Sequence, residues 1–185
     1  CKAYDPAFAG EMAVIVDAGM REMLLEQRDV FYYVTLMNEN YAQPDLPGEA
    51  HSDVLRGCYR FGTYGPDKAD KKVTLLGSGA ILTEVIKAAQ LLADEGIASQ
   101  VYSVTSWSEL ARDGQASEAD DGTPLLTQQL AASEGPVIAA TDYVRAVPES
   151  VRAYVPEGRR YVTLGTDGFG RSDTRAALRR FFGVD

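Results

Sequence analysis

The sequence has 185 residues, a net charge of −9 at pH 7 and 45% hydrophobic residues. This length and composition are sufficient for one domain with a buried core and an additional segment. Because acidic residues are in excess and spread along the chain, we expect no nucleic-acid partner and no binding to an anionic membrane. No apolar run approaches the roughly 20 residues of a membrane-spanning helix, so the sequence predicts a soluble, cytoplasmic protein.

The cysteine and histidine content excludes two further classes of site. Cys1 and Cys58 are far apart and lie in no Cys or His cluster, which favours a reducing compartment over a disulfide or a zinc site. His51 is the only histidine. The chain begins at Cys1 rather than at Met, and we expect it to be a fragment of a longer protein.

The first 37 residues predict a helix and then a strand. Asp5 and Pro6 are typical of a helix N-cap and first turn. The run from Val30 to Leu36 is continuously apolar, as in a strand that is buried on both faces. A helix and strand of this size cannot bury a core of their own, so we interpret residues 1–37 as the remnant of another domain.

A polar segment rich in proline follows the predicted strand, and we interpret residues 38–55 as a linker between domains. Ligands of open parallel sheets bind at the carboxyl ends of the strands. Asn38, Glu39 and Tyr41 are therefore candidate site residues. The alternative is a solvated linker whose Asn side chains only cap the strand.

A strand, a helix and a second strand between residues 71 and 104 organise the rest of the chain. The strands are predicted at 73–76 and 101–104, and Gly96 is placed to end the helix in a left-handed conformation. Neither strand alternates polar and apolar residues, which is typical of a parallel sheet covered on both faces. The helix residues predicted to be buried are Leu82, Val85, Ile86 and Ala89.

Three further strands, at 58–63, 137–140 and 161–164, complete a predicted α/β fold. The short Tyr64–Asp67 connection favours an antiparallel orientation for the first of them. We therefore predict a three-layer fold with a mostly parallel five-stranded sheet and one antiparallel strand, spanning residues 56–185.

Four local predictions concern the helices that follow. Ser106 and Glu109 form a capping box. Residues 113–123 are polar and predict a mobile surface excursion. Pro148 is predicted to begin a helix, and Ser172 to cap the closing helix. The residues of that closing helix predicted to face the core are Ala177, Leu178 and Phe181.

The Gly77-Ser78-Gly79 sequence lies between a predicted strand and a predicted helix, where free amide groups attract anions. A phosphate-binding loop is one interpretation. The specific fingerprints are missing, because Leu82 stands where a dinucleotide motif has its third glycine and no lysine follows as in a phosphate loop. A tight turn with close helix packing explains the glycines more simply.

Four runs of the sequence closely resemble the homodimeric, thiamine-dependent decarboxylating component of bacterial pyruvate dehydrogenase complexes. The resemblance covers essentially the whole chain, but only the C-terminal part of that longer enzyme. The last two runs are the most specific. The runs are Val34–Tyr41, Leu75–Gly79, Val101–Gly114 and Leu164–Asp173.

The resemblance implies that residues 1–37 are the end of a pyrimidine-binding domain and that residues 56–185 are a transketolase-like C-terminal domain. It also implies that thiamine diphosphate and Mg²⁺ serve the full-length enzyme and are bound by residues outside this chain. The residues near the active centre by resemblance are Asn38, Glu39, Asn40 and Tyr41. Some members carry a histidine where Ala42 stands. The residues of the last loop that are candidates for contact are Asp167, Phe169 and Arg171.

For the full-length enzyme the resemblance implies decarboxylation of pyruvate and reductive acetylation of a lipoyl group. It further implies a homodimer that works with the lipoyl-bearing acyltransferase component. The fragment itself is expected to be inactive, with a role in subunit contact and at the rim of the active site. Two alternatives remain open: a self-sufficient flavodoxin-like domain that binds a phosphorylated ligand at Gly77–Gly79, and a dimerisation module without a ligand.

Overall fold

The computed structural model describes residues 1–38 and 40–183. The N-terminal segment forms β1 (Lys2–Tyr4), α1 (Ala9–Met20), a π-helical turn (Arg21–Leu25) and β2 (Tyr32–Val34). β1 and β2 pair in parallel as a two-stranded sheet. The sequence did not predict β1, and the predicted strand at 30–36 is shorter, because β2 has a partner over only three residues.

α1 begins at Ala9, so the predicted N-cap at Asp5 and Pro6 is wrong. The backbone of Asp5 is bonded to the larger sheet instead: its amide donates to the Thr105 carbonyl, and its carbonyl accepts from the Gly79 amide. The amides at the start of the helix are satisfied by the Glu11 carboxylate, which accepts from Ala7 and Phe8.

The rest of the chain forms one α/β unit around a five-stranded sheet. Its strands are β3 (Cys58–Tyr64), β4 (Lys72–Gly77), β5 (Ala98–Val104), β6 (Val137–Ala140) and β7 (Tyr161–Leu164). Its helices are α2 (His51–Arg56), α3 (Ile81–Asp94), α4 (Trp107–Ala119), α5 (Leu125–Leu130), α6 (Ala146–Glu149) and α7 (Arg175–Phe182), with 3-10 turns at Gly48–Ala50 and Arg152–Tyr154.

The strand order is β3-β5-β4-β6-β7, and only β3 runs antiparallel to its neighbour. This confirms the predicted sheet. The neighbour of β3 is β5, although β4 follows β3 in the chain. β4 is the central strand, and its residues alternate between two cores: Leu76 contributes to the core beneath α4 and α5, whereas Leu75 contributes to the core beneath α3.

The α4 region confirms one prediction and corrects another. The Ser106 hydroxyl accepts from the Glu109 amide at 3.0 Å, which confirms the predicted N-cap of α4. The predicted excursion at 113–123 is wrong over its first half, because α4 continues to Ala119. Asp113 is held by an ion pair with Arg56 and by the Leu125 amide, so the polar residues form the outer surface of a packed helix.

The later helices also correct two boundaries. Pro148 lies inside α6, which begins at Ala146, and its carbonyl accepts from the Tyr161 hydroxyl at 2.8 Å. Thr174, and not Ser172, caps α7. Phe181 is 61% exposed and does not face the core, because α7 contacts the protein with its other side, where Arg179 pairs with Glu84 of α3.

The buried face of α3 leads to a stability prediction. Leu82 is fully buried, whereas Ile86 is only partly buried, so Ile86 does not belong to the innermost set. Leu82→Ala is expected to lower the free energy of unfolding by about 2 to 5 kcal/mol. Ile86→Ala should lower it by less, because fewer contacts are lost. Urea unfolding of both variants measures the difference, and equal losses would contradict the observed orientation of α3.

In the part of the chain that the structure describes, every helix is too short or too polar to cross a membrane.

Candidate functional site

The carboxyl ends of β4, β5 and β6 meet the N-terminal segment at one edge of the sheet. Asp5, which follows β1, connects β4 and β5 with β2. Its backbone bonds to Thr105 after β5 and to Gly79 after β4. Its carboxylate Oδ1 accepts a hydrogen bond from the Thr35 hydroxyl at 2.6 Å, and Thr35 follows β2. Four strand ends are therefore tied together through a single residue.

Hydroxyl groups surround this carboxylate. Ser78 also lies beside Asp5 and lowers the pKa of its carboxyl. The Ser78 and Thr141 hydroxyl oxygens are 3.0 Å apart, and the Tyr143 hydroxyl donates to the Thr35 hydroxyl at 3.2 Å. Burial raises the pKa of the Asp5 carboxyl above its ordinary value, while the hydrogen bonds from Thr35 and Ser78 offset part of that rise. We name Asp5, Thr35, Ser78, Thr141 and Tyr143 the Asp5 cluster.

The Gly77–Gly79 loop belongs to this cluster. Gly79 has a φ of +52°, and a Cβ built on it would lie 2.5 Å from Asp5 Oδ1. A Cβ on Gly77 would lie 3.0 Å from the Leu82 Cα of α3. The glycines therefore permit a left-handed turn and close packing. The protein's own carboxylate fills the space in front of the loop and repels a second anion, which argues against a phosphate site.

The candidate residues after β2 are placed as follows. Asn38 and Asn40 are exposed. Glu39 lies outside the described residues. Tyr41 is half-buried, and its hydroxyl donates to the Ala7 carbonyl at 2.5 Å while its ring packs edge-on against Phe8. The Gln43 side chain accepts from the Ala9 amide. The segment is thus fastened to the start of the chain at Thr35, Tyr41 and Gln43.

The candidate residues after β7 form a second, more exposed group. Asp167 accepts from the backbone amide of Arg145 and pairs with its guanidinium, which holds the pKa of Asp167 below its ordinary value. Arg171 lies over the ring of Phe181, with its guanidinium carbon 4.8 Å from the ring centroid. Phe169 is 96% exposed. None of these contacts joins the loop after β7 to the residues after β2.

A cavity of about 200 Å³ lies between residues adjacent in sequence to the two sets of candidates, those after β2 and those after β7. Met37, from the segment after β2, and Thr166, from the loop after β7, line it with Ala80 and Asp142. Its remaining lining residues belong to α7: Arg175, Leu178, Arg179 and Phe182. The two sets of candidate residues therefore border the same edge of the sheet.

Glu11 is a buried charged residue that the sequence pattern does not reveal. Its side chain is fully buried at the junction of α1 with the sheet. One oxygen accepts from the amides of Ala7 and Phe8, and the other accepts from the Tyr59 hydroxyl at 2.8 Å and the Ser103 hydroxyl at 2.6 Å. Burial above all, and also the Glu11 charge, raises the pKa of Tyr59, so this phenol stays a donor. A glutamate in a helical pattern gives no signal that distinguishes it from a surface residue.

Within residues 1–38 and 40–183, no three His, Cys, Asp or Glu side chains converge as metal ligands.

The strand order β3-β5-β4-β6-β7 and the antiparallel edge strand β3 assign this α/β unit to one class of protein domain. The chain belongs to the transketolase-like TK C-terminal domain family, whose model matches residues 57–185. A second model, the pyruvate dehydrogenase E1 component middle domain, matches residues 1–44.

Curated relatives match along the whole chain and carry one name. The pyruvate dehydrogenase E1 component of Cupriavidus necator is 48% identical and covers 100% of this chain, which spans 22% of that protein. The E1 component of Escherichia coli K12 is 47% identical, with 100% of this chain and 21% of that protein covered. The chain spans about a fifth of the length of these relatives.

Solved structures support the fold. The transketolase from Leishmania mexicana aligns with a TM-score of 0.62 at 20% identity, covering 99% of this chain and 23% of that one. The transketolase from Pichia stipitis, in a complex with sedoheptulose 7-phosphate, aligns with a TM-score of 0.60 at 16% identity, covering 99% and 23%. At these identities the likeness concerns the fold alone.

Proposed function

We propose that this chain is the C-terminal part of a pyruvate dehydrogenase E1 component. The full-length protein decarboxylates pyruvate with thiamine diphosphate and then reductively acetylates the lipoyl group of an acyltransferase component. The observation that carries this proposal is the order of the two family models, with the E1 middle domain over residues 1–44 and the transketolase-like domain over residues 57–185. Relatives named E1 component match across both parts.

The domain boundaries are part of the proposal. Residues 1–37 are the end of a pyrimidine-binding domain, and residues 56–185 form the C-terminal domain. Residues 38–55 are the linker between the two. The exposed apolar side chains around β2 support this division, because Phe31, Tyr33 and Leu36 are each more than 60% exposed. Such a surface is typical of a segment that packs against more of the same domain.

The cofactor of the proposed reaction is thiamine diphosphate, which supplies the carbanion chemistry when bound, together with Mg²⁺. We propose that residues outside this chain hold both. Asn38, Glu39, Asn40 and Tyr41 contribute to the rim of the active site. Asp167, Phe169 and Arg171 contribute contacts from the loop after β7. No catalytic step is assigned to any of these residues.

The partners of the full-length protein in this proposal are a second copy of itself, as a homodimer, and the lipoyl-bearing acyltransferase of the complex. Its location is the cytoplasm. The acidic composition supports neither a nucleic-acid nor a membrane partner.

The flavodoxin-like alternative is disfavoured by the Asp5 carboxylate in front of Gly79. A purely structural dimerisation module has the same fold. Both alternatives require a complete protein of about this length, whereas a part of an E1 component requires a native chain several times longer. The length of the native chain therefore distinguishes a part of an E1 component from both alternatives.

The isolated 185-residue chain is expected neither to bind thiamine diphosphate nor to decarboxylate pyruvate, whereas the full-length protein is expected to do both. Titration calorimetry of the chain with thiamine diphosphate and Mg²⁺ should be flat, and no carbon dioxide should be released from pyruvate. Circular dichroism of the same sample serves as the folding control, and the full-length protein is the positive control. Saturable binding of the cofactor by the isolated chain at micromolar concentration would contradict the domain assignment.

A further inference from the structure

The Asp5 cluster stands immediately before the segment that the proposed function places at the active-site rim. Only two residues separate Thr35 from Asn38. We propose that Asp5 is a positioning residue: its carboxylate orients Thr35 and thereby helps to position Asn38 and Tyr41 at the rim of the active site. This inference rests on the proposed function for its catalytic consequence.

The donors around Asp5 form a directed chain. The Tyr143 hydroxyl donates to Thr35, and Thr35 donates to Asp5 Oδ1. On the other side, the Ser78 hydroxyl lies beside Asp5 and is paired with Thr141, whose oxygen accepts the Tyr143 amide at 3.3 Å. Because an ionised carboxylate only accepts hydrogen bonds, Asp5 sets the direction of the Thr35 hydroxyl.

Both arms lead to Tyr143, which follows β6: one runs through Thr35, and the other runs through Ser78 and Thr141. The main chain of Asp5 is bonded to Thr105 and Gly79, which fixes Asp5 to the sheet. The Thr35 amide is bonded to the Tyr4 carbonyl, and Asp5 orients the Thr35 hydroxyl. Further along the segment, Tyr41 is bonded to the Ala7 carbonyl, two residues after Asp5.

The test uses the full-length protein with the substitutions Asp5→Asn, Thr35→Val and Thr35→Ser. Asparagine keeps one accepting oxygen and replaces the other with an NH₂ donor, so Thr35 and Ser78 no longer both face an acceptor. Valine keeps the shape of Thr35 but removes the hydroxyl, and serine restores it. Asp17→Asn is the matched control, since Asp17 is exposed on α1 in the same segment.

The first readout is amide hydrogen exchange. Exchange in residues 35–43 should become about tenfold faster in Asp5→Asn and Thr35→Val, while exchange in β4 and the thermal unfolding temperature stay unchanged. The second readout is kcat for pyruvate decarboxylation, which should fall about tenfold to a hundredfold without a matching change in KM. Thr35→Ser and Asp17→Asn should behave as the parent protein.

Unchanged exchange in residues 35–43, or a kcat within about twofold of the parent protein, would overturn the positioning role. Loss of activity accompanied by a lower unfolding temperature and faster exchange in β4 would also overturn it, because that pattern is a general loss of structure. A parent protein that does not decarboxylate pyruvate refutes the proposed function instead. Hydrogen exchange then still decides whether Asp5 fixes the segment.

Discussion

Glu11→Ala is expected to lower the free energy of unfolding by about 3 to 5 kcal/mol, a large loss for a single polar side chain. The substitution removes the acceptor for two backbone amides and for the Tyr59 and Ser103 hydroxyls, all at a buried junction. Each donor left without a partner costs about 1 to 3 kcal/mol, and relaxation of the site recovers part of the sum. Urea unfolding of the variant measures the loss.

Two comparisons make this expectation specific. Tyr59→Phe and Ser103→Ala each remove one donor while Glu11 keeps its other partners, so each should cost about 1 kcal/mol. Glu26→Ala changes an exposed glutamate close to the end of the same helical segment and should stay within about 0.5 kcal/mol of the parent protein. A loss no greater for Glu11→Ala than for Glu26→Ala would mean that the junction is open to water.

Gly135→Ala is the second substitution with a large expected effect. Gly135 precedes β6 with a φ of +76°, and a Cβ built on it would overlap the backbone carbonyl of Lys72 at the start of β4. A backbone group between two central strands cannot move aside as a flexible side chain can. We expect a loss of about 3 kcal/mol or more in the free energy of unfolding.

Gly158→Ala provides the matched control for this prediction. Gly158 has nearly the same φ of +74°, but nothing lies within 4 Å of the Cβ position. Alanine there bears only the strain of the left-handed backbone, about 1 kcal/mol. The difference between the two variants in urea unfolding isolates the overlap with Lys72. Equal losses would show that backbone strain alone explains the effect.

The strands of the sheet could be predicted because the sequence pattern that indicates each strand is local. The strands around Leu75, Val101, Ile138 and Val162 are short apolar runs separated by helical patterns, and parallel order follows from that alternation. The partner of β3 could not be predicted, since a short connection does not determine which edge of the sheet a strand joins. The extension of α4 through Asp113 could not be predicted, because Asp113 is held by Arg56, 57 residues away, and by the amide of Leu125, 12 residues further along.

The candidate site was only partly accessible from the sequence. Asn38 and Tyr41 are candidates because they follow a strand, a rule that comes from the topology of open sheets. Asp5 resembles a helix cap in sequence because Asp before Pro is the usual signal for one. Its actual partners, Thr35 and Gly79, are 30 and more residues away in the sequence. The burial of Glu11 could not be predicted either, because its hydroxyl partner Ser103 is 92 residues away in the sequence.

The short strand β2 favours self-association of the isolated chain. β2 pairs on one side with β1, and within the described residues no strand pairs with its other side. Phe31, Tyr33 and Leu36 are exposed on and beside it, and Leu24 and Leu25 are exposed nearby in sequence. An unpaired edge flanked by apolar side chains is a template for strand addition between molecules. Preparations of the isolated chain should therefore show concentration-dependent self-association by light scattering, and Tyr33→Lys should reduce it.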